Sequence, residues 1–411
     1  IDVFDDDGNL VCTSNPMRVT ESADLLPYWG DLHGQSEETI GTNSARDFYE
    51  FARDKAFLDA CVHQGNDFQI TTEFWEHLNE LSREFTEDGK FIVFPGWEWS
   101  GNTGLGGDRN VLHMQEGRQI HRSSHALVDD LSDINTDANS AADLFEELKD
   151  EDCTVFAHIG GRYADIKMAH DERLEKAVEV HSAWGTFEWL IEDAFEQGYR
   201  VGIVSNSDGH KGRPGASHPG ATKFGAYGGL TCNLAPSFSR AGLMEAMKRR
   251  HHYGTTGCRM VLDTRAEFDN PAELFSDDPN LGDVTSRMAS SAMMGDILRS
   301  SDGEVIFKID VHASAPIERI DIRNGLETVE VFRPYAKADL GRRIRVLWEG
   351  SEYRGRGRET IWDGYAALDG NAFQHLEPIN RYNLDKRFDL IGTDRLEWAA
   401  LTTGGFGGFD A

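Results

Sequence analysis

Cysteine is scarce in this sequence. Its 411 residues include only 5 cysteines, and no two of them form a C-x-x-C motif. An odd and widely spaced set predicts neither a disulfide framework nor a thiolate zinc site. Any metal bound by this chain is therefore expected to have histidine and carboxylate ligands. The cysteines are Cys12, Cys61, Cys153, Cys232 and Cys258.

Basic residues are also few. The chain has 41 lysines and arginines against 71 aspartates and glutamates, which gives a formal net charge of -30. Proteins that bind nucleic acid need a basic surface that follows the phosphates. We therefore expect no nucleic-acid partner, whereas oligomerisation stays open.

Long apolar runs are missing as well. No run approaches the roughly 18 residues of a membrane-spanning helix, so we expect no membrane partner and a soluble protein of bacterial type. No signal peptide is visible, but the chain begins at Ile1 rather than Met. This start suggests a trimmed N-terminus, and it leaves both the cytoplasm and the periplasm open as locations.

The first informative stretch is Tyr28 to Ser36. It predicts a short strand that opens into a polar loop, Gly30-Asp31-Leu32-His33-Gly34-Gln35-Ser36. In extended chain the side chains of Asp31, His33 and Gln35 point to one face. Such a group at the end of a strand is what a metal site in an α/β fold requires.

Other predicted strands end in the same way. Val201 to Val204 is followed by Ser205-Asn206-Ser207-Asp208-Gly209-His210, and Cys153 to Ala157 is followed by His158. Phe91 to Phe94 leads into Pro95-Gly96-Trp97-Glu98-Trp99-Ser100. Helical patterns separate these strands, so residues 28–260 are predicted to form a mainly parallel α/β unit with its chemistry at the strand ends.

The pattern changes on either side of this unit. Residues 1–27 are expected to form an irregular arm. Residues 261–411 contain short alternating segments such as 304–311 and 328–332, which predict a C-terminal antiparallel β-sandwich-like domain. The glycine-containing tail 402–411 is expected to be a loop.

Taken in order, these stretches resemble the PHP superfamily, named for polymerase and histidinol phosphatase, and most closely its branch labelled a domain of unknown function. The resemblance covers about residues 28–330 and includes Gly229-Leu230-Thr231 and Tyr253 to Gly257. It implies a distorted (β/α)7 barrel that carries up to three divalent metal ions at its strand ends. The cofactors implied are one to three Mn²⁺, Zn²⁺ or Fe²⁺ ions.

The resemblance also implies a set of ligands, in which Glu98 bridges two ions. Gln35 stands where the family has a second histidine, and Asn66 stands within its Asp-His pair, where His63 is an alternative. Asp108 competes with His113 for the ligand position on the intervening strand. The full predicted metal set is His33, Gln35, Glu98, His113, His158, Asp208 and His210.

The implied activity is that of a metal-dependent hydrolase with a metal-activated water. Asp208 and Glu98 are its predicted catalytic carboxylates, and His181 is predicted to protonate a leaving group. The predicted contacts to a small anionic substrate are Arg109, Arg162 and Asn66.

Three functions fit these residues. The first is a phosphoesterase that acts on phosphomonoesters or phosphodiesters. The second is a metallohydrolase of an amide, ester or sulfate ester. The third is a binding module with a degenerate metal site, and the joint presence of Glu98, His158, Asp208 and His210 argues against it.

Overall fold

The computed structural model describes residues 1–216, 226–300, 303–351, 354, 359–381 and 383–411. Within these ranges the chain is a strand-rich mixture of α-helices and β-strands. No helix in these ranges has the length and apolar character needed to cross a membrane. The elements up to residue 255 are β1 Asp2–Phe4, β2 Leu10–Thr13, β3 Leu26–Asp31, α1 Ala45–Asp54, β4 Ala60–Val62, α2 Thr72–Phe85, β5 Ile92–Phe94, β6 Gly96–Trp99, β7 Arg109–His113, α3 Ala141–Leu148, β8 Cys153–Ala157, β9 Glu175–Ser182, β10 Gly185–Thr186, α4 Glu188–Glu196, β11 Gly202–Ser205, β12 Leu230–Ala235, α5 Arg240–Lys248 and β13 His252–Thr255.

The helices begin and end where local signals place them. At the start of α1, the Ser44 side chain accepts a hydrogen bond from the Asp47 backbone N–H, and Asp47 reaches back to Ser44 in a capping box. The apolar face of α1 buries Phe48 and Tyr49 against the sheet. These contacts place the helix over the first strands of the chain.

Two sheets carry the strands that surround the predicted site. One has the order β13-β12-β3-β4-β5, and the other has the order β10-β9-β8-β7-β6 with β11 also paired to β9. The pairs β3–β4, β4–β5, β8–β9 and β11–β9 are parallel. The strands around the predicted site thus form two mixed sheets, and a closed barrel stays a prediction.

The expectation of a mainly parallel unit is wrong around β7. This strand is antiparallel to both β6 and β8. The link between β6 and β7 is only residues 100–108, and a parallel crossover needs a dozen residues or more. The short glycine-rich link therefore returns the chain in the opposite direction.

The ends of several strands meet on one side of the two sheets. A parallel bridge joins Gly34, after β3, to Gly209, after β11, and a second joins Asn66, after β4, to Glu98 in β6. Beneath this edge, apolar side chains from both sheets form a shared core. This core includes Leu32, Val62, Phe94, Leu112, Phe156 and Val204.

The later part of the chain consists of antiparallel strands. One sheet joins β14, β15, β16 and β17, a hairpin joins β18 and β19, and two three-stranded sheets have the orders β20-β25-β22 and β21-β24-β23. Trp348 of β20 stacks on Trp398 of β24, with 5.3 Å between the ring centroids, so these two sheets pack together. The strands are β14 Val261–Phe275, β15 Ser286–Met293, β16 Ile297–Arg299, β17 Val305–His312, β18 Ile320–Asn324, β19 Glu327–Phe332, β20 Arg345–Glu349, β21 Thr360–Ala367, β22 Glu377–Ile379, β23 Phe388–Ile391, β24 Arg395–Thr402 and β25 Phe406–Asp410.

Two expectations for the ends of the chain are wrong. The tail was expected to be a loop, but it contains β25, which pairs with both β20 and β22. The arm was expected to be irregular, but its first residues form the β1–β2 hairpin. In the tail, strand pairing outweighs the weak strand preference of glycine. In the arm, the acidic residues form the turn between β1 and β2, whose strands are mostly apolar. The predicted domain boundaries at residues 28 and 261 stay predictions.

Candidate metal centre

A buried cluster of His33, Glu98 and His158 lies where the strand ends meet. One potential ligand atom from each residue lies within 4.8 Å of the others. His33 Nε2 is 3.7 Å from Glu98 Oε2, and His158 Nε2 is 3.8 Å from Glu98 Oε1. Two imidazoles and a carboxylate at these separations form a donor set suited to Zn²⁺, Mn²⁺ or Fe²⁺.

Asp208, which follows β11, completes the cluster. Its Oδ1 lies 3.3 Å from His33 Nε2. The backbone of Asp208 has a φ of 46°, in the left-handed region that few residues other than glycine adopt. Backbone strain of this kind concentrates at functional sites, where the surrounding structure holds it in place.

Several polar atoms of the cluster lack a partner although they are buried. His33 Nε2, both ring nitrogens of His158 and Asp208 Oδ1 have no hydrogen-bond partner among the described residues. Buried polar atoms are nearly always paired, so unpaired atoms that face one another indicate a missing partner. Gly160 leaves room beside the cluster, because a Cβ there would lie 3.2 Å from Asp108 Oδ2, 3.3 Å from His158 Cε1 and 3.5 Å from Asp208 Oδ2. The cluster therefore fits a metal ion.

The charges of the cluster point the same way. Burial opposes a charge on Glu98, but the nearby side chains of His33, His158 and Arg162 lower the pKa of Glu98 to about 2. Burial also opposes a charge on His33, but Asp208 and Glu179 raise its pKa well above the usual value. The buried carboxylates of Glu98, Glu179 and Asp208 together need a cation beside them.

Glu179, in the middle of β9, was not among the predicted site residues. Its carboxylate oxygens lie 3.1 and 3.2 Å from His33 Nδ1, and Asn206 Nδ2 donates to it at 2.8 Å. The bond to Nδ1 leaves Nε2 of His33 facing the cluster. A carboxylate that holds the outer nitrogen of a histidine is the usual support for a metal ligand. The signal in the sequence was a single charged residue within the apolar run Ala177 to Val180.

We expect Glu179→Gln to weaken metal binding by about 10–100-fold, because the variant loses the anionic acceptor that orients His33. Isothermal titration of the metal-free protein with Mn²⁺ or Zn²⁺ measures this effect. The control is Glu76→Gln, which removes an exposed carboxylate on α2. Unchanged affinity in Glu179→Gln would show that His33 is not held through Glu179.

Gln35 and Asn66, both predicted site residues, reach the cluster through hydrogen bonds. Gln35 Nε2 donates to Glu98 Oε2 at 3.3 Å. Asn66 Nδ2 donates to Ser100 Oγ at 2.9 Å, and this hydroxyl donates to Glu98 Oε1 at 3.0 Å. The amide N–H of Gln35 is thus directed towards Glu98, and the amide N–H of Asn66 is directed towards Ser100.

Arg162 also lies beside the cluster, as the prediction of a substrate contact requires. Its Nε donates to Asp108 Oδ1 at 2.6 Å, and its Nη2 lies 3.4 Å from Glu98 Oε1. Burial and the nearby charge of Glu98 raise the pKa of Asp108 well above its usual value. Because Arg162 joins Asp108 to Glu98, Asp108 lies at this edge, whereas its competitor His113 does not.

The structure does not bring Arg109 into the site, so its prediction as a substrate contact is corrected. Arg109 is fully buried, and its Nε donates to Glu175 Oε1 at 2.9 Å. Its neighbour Asn110 is paired with Glu98 across β6 and β7, so Asn110 shares the face of Glu98. Because side chains alternate along a strand, Arg109 points to the opposite face.

His113 is also outside the cluster. It ends β7 opposite Cys153, the first residue of β8, whereas His158 follows the last residue of β8. The ring of His113 stacks on Trp97, with 5.1 Å between the ring centroids. Since β7 runs in the reverse direction, its final residue lies at the far edge of the sheet, and the predicted ligand role of His113 is corrected.

The two remaining predicted histidines have other partners. His181 Nδ1 lies 2.8 Å from Thr186 Oγ1, and its Nε2 lies 2.9 Å from the Tyr227 carbonyl oxygen. Burial lowers the pKa of His181 to about 4, so it is a poor source of a proton near neutral pH. His210 Nδ1 lies 2.8 Å from the backbone oxygen of Asp208, and its role as a ligand stays a prediction.

Comparison with known proteins finds relatives whose function is not known. The family model described as "Protein of unknown function (DUF3604)" matches residues 205–330. An uncharacterised protein of Chlamydia pneumoniae is 24% identical over 58% of this chain and 41% of its own length. One of Chlamydia trachomatis is 24% identical over 62% of this chain and 43% of its own. The chain thus spans about two fifths of the curated relatives it matches.

Among solved structures, the chain is similar to a two-domain protein of Bacteroides vulgatus that contains a predicted PHP-like metal-dependent phosphoesterase. The identity is 11%, with a TM-score of 0.40, over 76% of this chain and 93% of that one. It is also similar to a lesion-specific endonuclease of Pyrococcus furiosus, at 14% identity and a TM-score of 0.35, over 54% of this chain and 56% of that one. The family model carries no PHP description, so the PHP relationship stays an interpretation.

Proposed function

We propose that this chain is a metal-dependent hydrolase that cleaves phosphoester bonds in small anionic molecules. The observation that supports this most is the buried group of His33, Glu98 and His158, whose ligand atoms lie within 4.8 Å of one another. With Asp208, these residues would hold a divalent ion. Such an ion lowers the pKa of bound water towards neutrality, which supplies a nucleophile at pH 7.

The side chains of this chain would then have separate tasks. Asp208 and Glu98 hold negative charge in a buried place, and either can accept a proton from an attacking water. Glu179 keeps His33 oriented through Nδ1. Arg162 supplies a fixed positive charge, and 17% of its side-chain surface is exposed, so it can reach an anionic group of a substrate.

Phosphoesters are favoured by this arginine and by the chemistry that the sequence resemblance implies. A second candidate is a hydrolase of an amide, ester or sulfate ester. This second candidate is favoured because few cationic side chains are available to hold a phosphate group. Among the described lysines and arginines, Arg162 alone forms an ion pair with Glu98 or Asp108. The net charge of -30 continues to argue against nucleic acid as a substrate.

The test is an assay of chelator-treated protein, before and after Mn²⁺, Zn²⁺ or Fe²⁺ is restored. The substrates are p-nitrophenyl phosphate, bis-p-nitrophenyl phosphate, p-nitrophenyl sulfate, p-nitrophenyl acetate and an anilide. We expect hydrolysis of a phosphoester only after metal is restored. Metal-dependent hydrolysis confined to the other esters or the anilide would favour the second candidate, and metal-independent hydrolysis would contradict both.

A further inference from the structure

Glu98 divides the buried site into two unlike halves. On one side lie His33, His158 and Asp208, whose unpaired atoms are described above. On the other side the carboxylate of Glu98 is surrounded by hydrogen-bond donors. These are the amide of Gln35 at 3.3 Å, the hydroxyl of Ser100 at 3.0 Å and the guanidinium of Arg162 at 3.4 Å.

The donor-rich half has few lone pairs left for a cation. Gln35 Oε1 accepts a hydrogen bond from Thr39 Oγ1 at 3.0 Å. Both carboxylate oxygens of Asp108 are engaged by Arg162, one by Nε at 2.6 Å and the other by the backbone N–H at 3.2 Å. Asn66 presents its amide N–H to Ser100. N–H groups cannot bind a metal ion, because they offer it no electron pair.

The positive charge in this half is permanent. A guanidinium stays protonated at any pH that a folded protein tolerates, so Arg162 cannot give way to a cation by losing its proton. It lies between the buried carboxylates of Glu98 and Asp108, and it contacts both. A divalent ion placed there would meet this charge at close range in a buried, weakly screened site.

We propose that this site binds a single divalent ion, on the side of His33, His158 and Asp208, and that the guanidinium of Arg162 takes the place of a second ion beside Glu98 and Asp108. This inference rests on the proposed function and makes it more specific. Arg162 is thereby a fixed part of the charged centre, and its partly exposed side chain faces the substrate as a built-in cation. Gln35 assists by holding the second oxygen of Glu98.

The first experiment counts the ions on the whole chain. Metal-free protein is titrated with Mn²⁺ and examined by native mass spectrometry and by electron paramagnetic resonance. We expect one tightly bound Mn²⁺ per chain with the spectrum of an isolated ion. Two or three ions, or the spectrum of interacting ions, would overturn the inference but leave the hydrolase proposal standing. No bound ion would overturn the hydrolase proposal itself.

The second experiment tests Arg162 directly. Arg162→Met removes the charge but keeps much of the side-chain length, so Glu98 and Asp108 are left without their cation. We expect the number of bound Mn²⁺ ions to rise from one to two in this variant and to stay at one in Arg162→Lys. The control is Arg46→Met, which removes an exposed arginine paired with Glu84. A single ion in Arg162→Met would contradict the role of Arg162 as the second cation.

Discussion

Asp208→Asn is expected to abolish tight metal binding and nearly all hydrolysis. The change keeps the size of the side chain, and asparagine tolerates the left-handed backbone of this position as well as aspartate does. It removes the only carboxylate that the β11 end contributes beside His33 Nε2. Loss of an ion worth several kcal/mol of transition-state stabilisation lowers kcat/KM on the order of a thousandfold.

Metal affinity by calorimetry and kcat/KM on the best phosphoester measure this effect together. The metal-free variant should be close in stability to metal-free wild type, because Asp208→Asn removes both the attraction of Asp208 to His33 and its repulsion of Glu179. Asp208→Glu, which keeps the charge, should retain part of the affinity. Wild-type affinity in Asp208→Asn would remove Asp208 from the ligand set.

Arg109→Met is expected to lower the free energy of unfolding by about 3–5 kcal/mol, because it leaves the carboxylate of Glu175 buried without its main positive partner. Both side chains of this pair are fully buried. Denaturation in urea, followed by circular dichroism, measures the change. Metal affinity of the folded variant should stay close to that of wild type, since Arg109 faces away from Glu98.

The double variant Arg109→Met/Glu175→Leu is the matched control for this buried pair. Replacing both charges with apolar groups removes the stranded carboxylate and should recover much of the lost stability. His170, which lies 2.7 Å from Glu175 Oε2, would lose a partner and keep the recovery incomplete. A stable Arg109→Met with a greatly raised KM would instead restore Arg109 as a substrate contact.

The candidate site could be predicted from sequence where a ligand follows a strand that enters the site. His33, His158 and Asp208 each follow a strand whose residues and end were visible in the sequence. These strands end on one edge, so their following residues meet there. Glu98 lies within β6 itself, and the resemblance to a known family, rather than a strand end, predicted its place in the site.

The errors have physical causes that a single sequence does not reveal. His113 was assigned to the site because β7 was taken to run in the same direction as its neighbours, and the pattern of apolar residues does not encode strand direction. Arg109 was assigned because a guanidinium suits an anionic substrate, but its side chain lies on the face of β7 opposite to Glu98. Glu179 was missed because it lies inside β9 rather than after it. His181 is bound by the Thr186 hydroxyl because the chain turns back after β9 to form β10. Such a turn depends on tertiary packing and is not visible in the sequence.

The strands of the tail and arm show a related limit. β25 contains two glycines, which by themselves favour a loop, yet it pairs on both sides with β20 and β22. Its neighbours supply the packing that glycine lacks. Conversely, the helical spacing of apolar residues continues from residue 44 to residue 60, but α1 ends at Asp54, because the chain must turn before β4.

The most direct test of the central claim is a crystal of the protein grown with Mn²⁺ or Zn²⁺, with diffraction recorded on both sides of the absorption edge of that metal. We predict one strong anomalous peak within coordination distance of His33, His158, Asp208 and Glu98, and none between Glu98 and Asp108. A peak at some other place, or no peak in crystals that contain the metal, would contradict the proposal that this cluster is a metal centre.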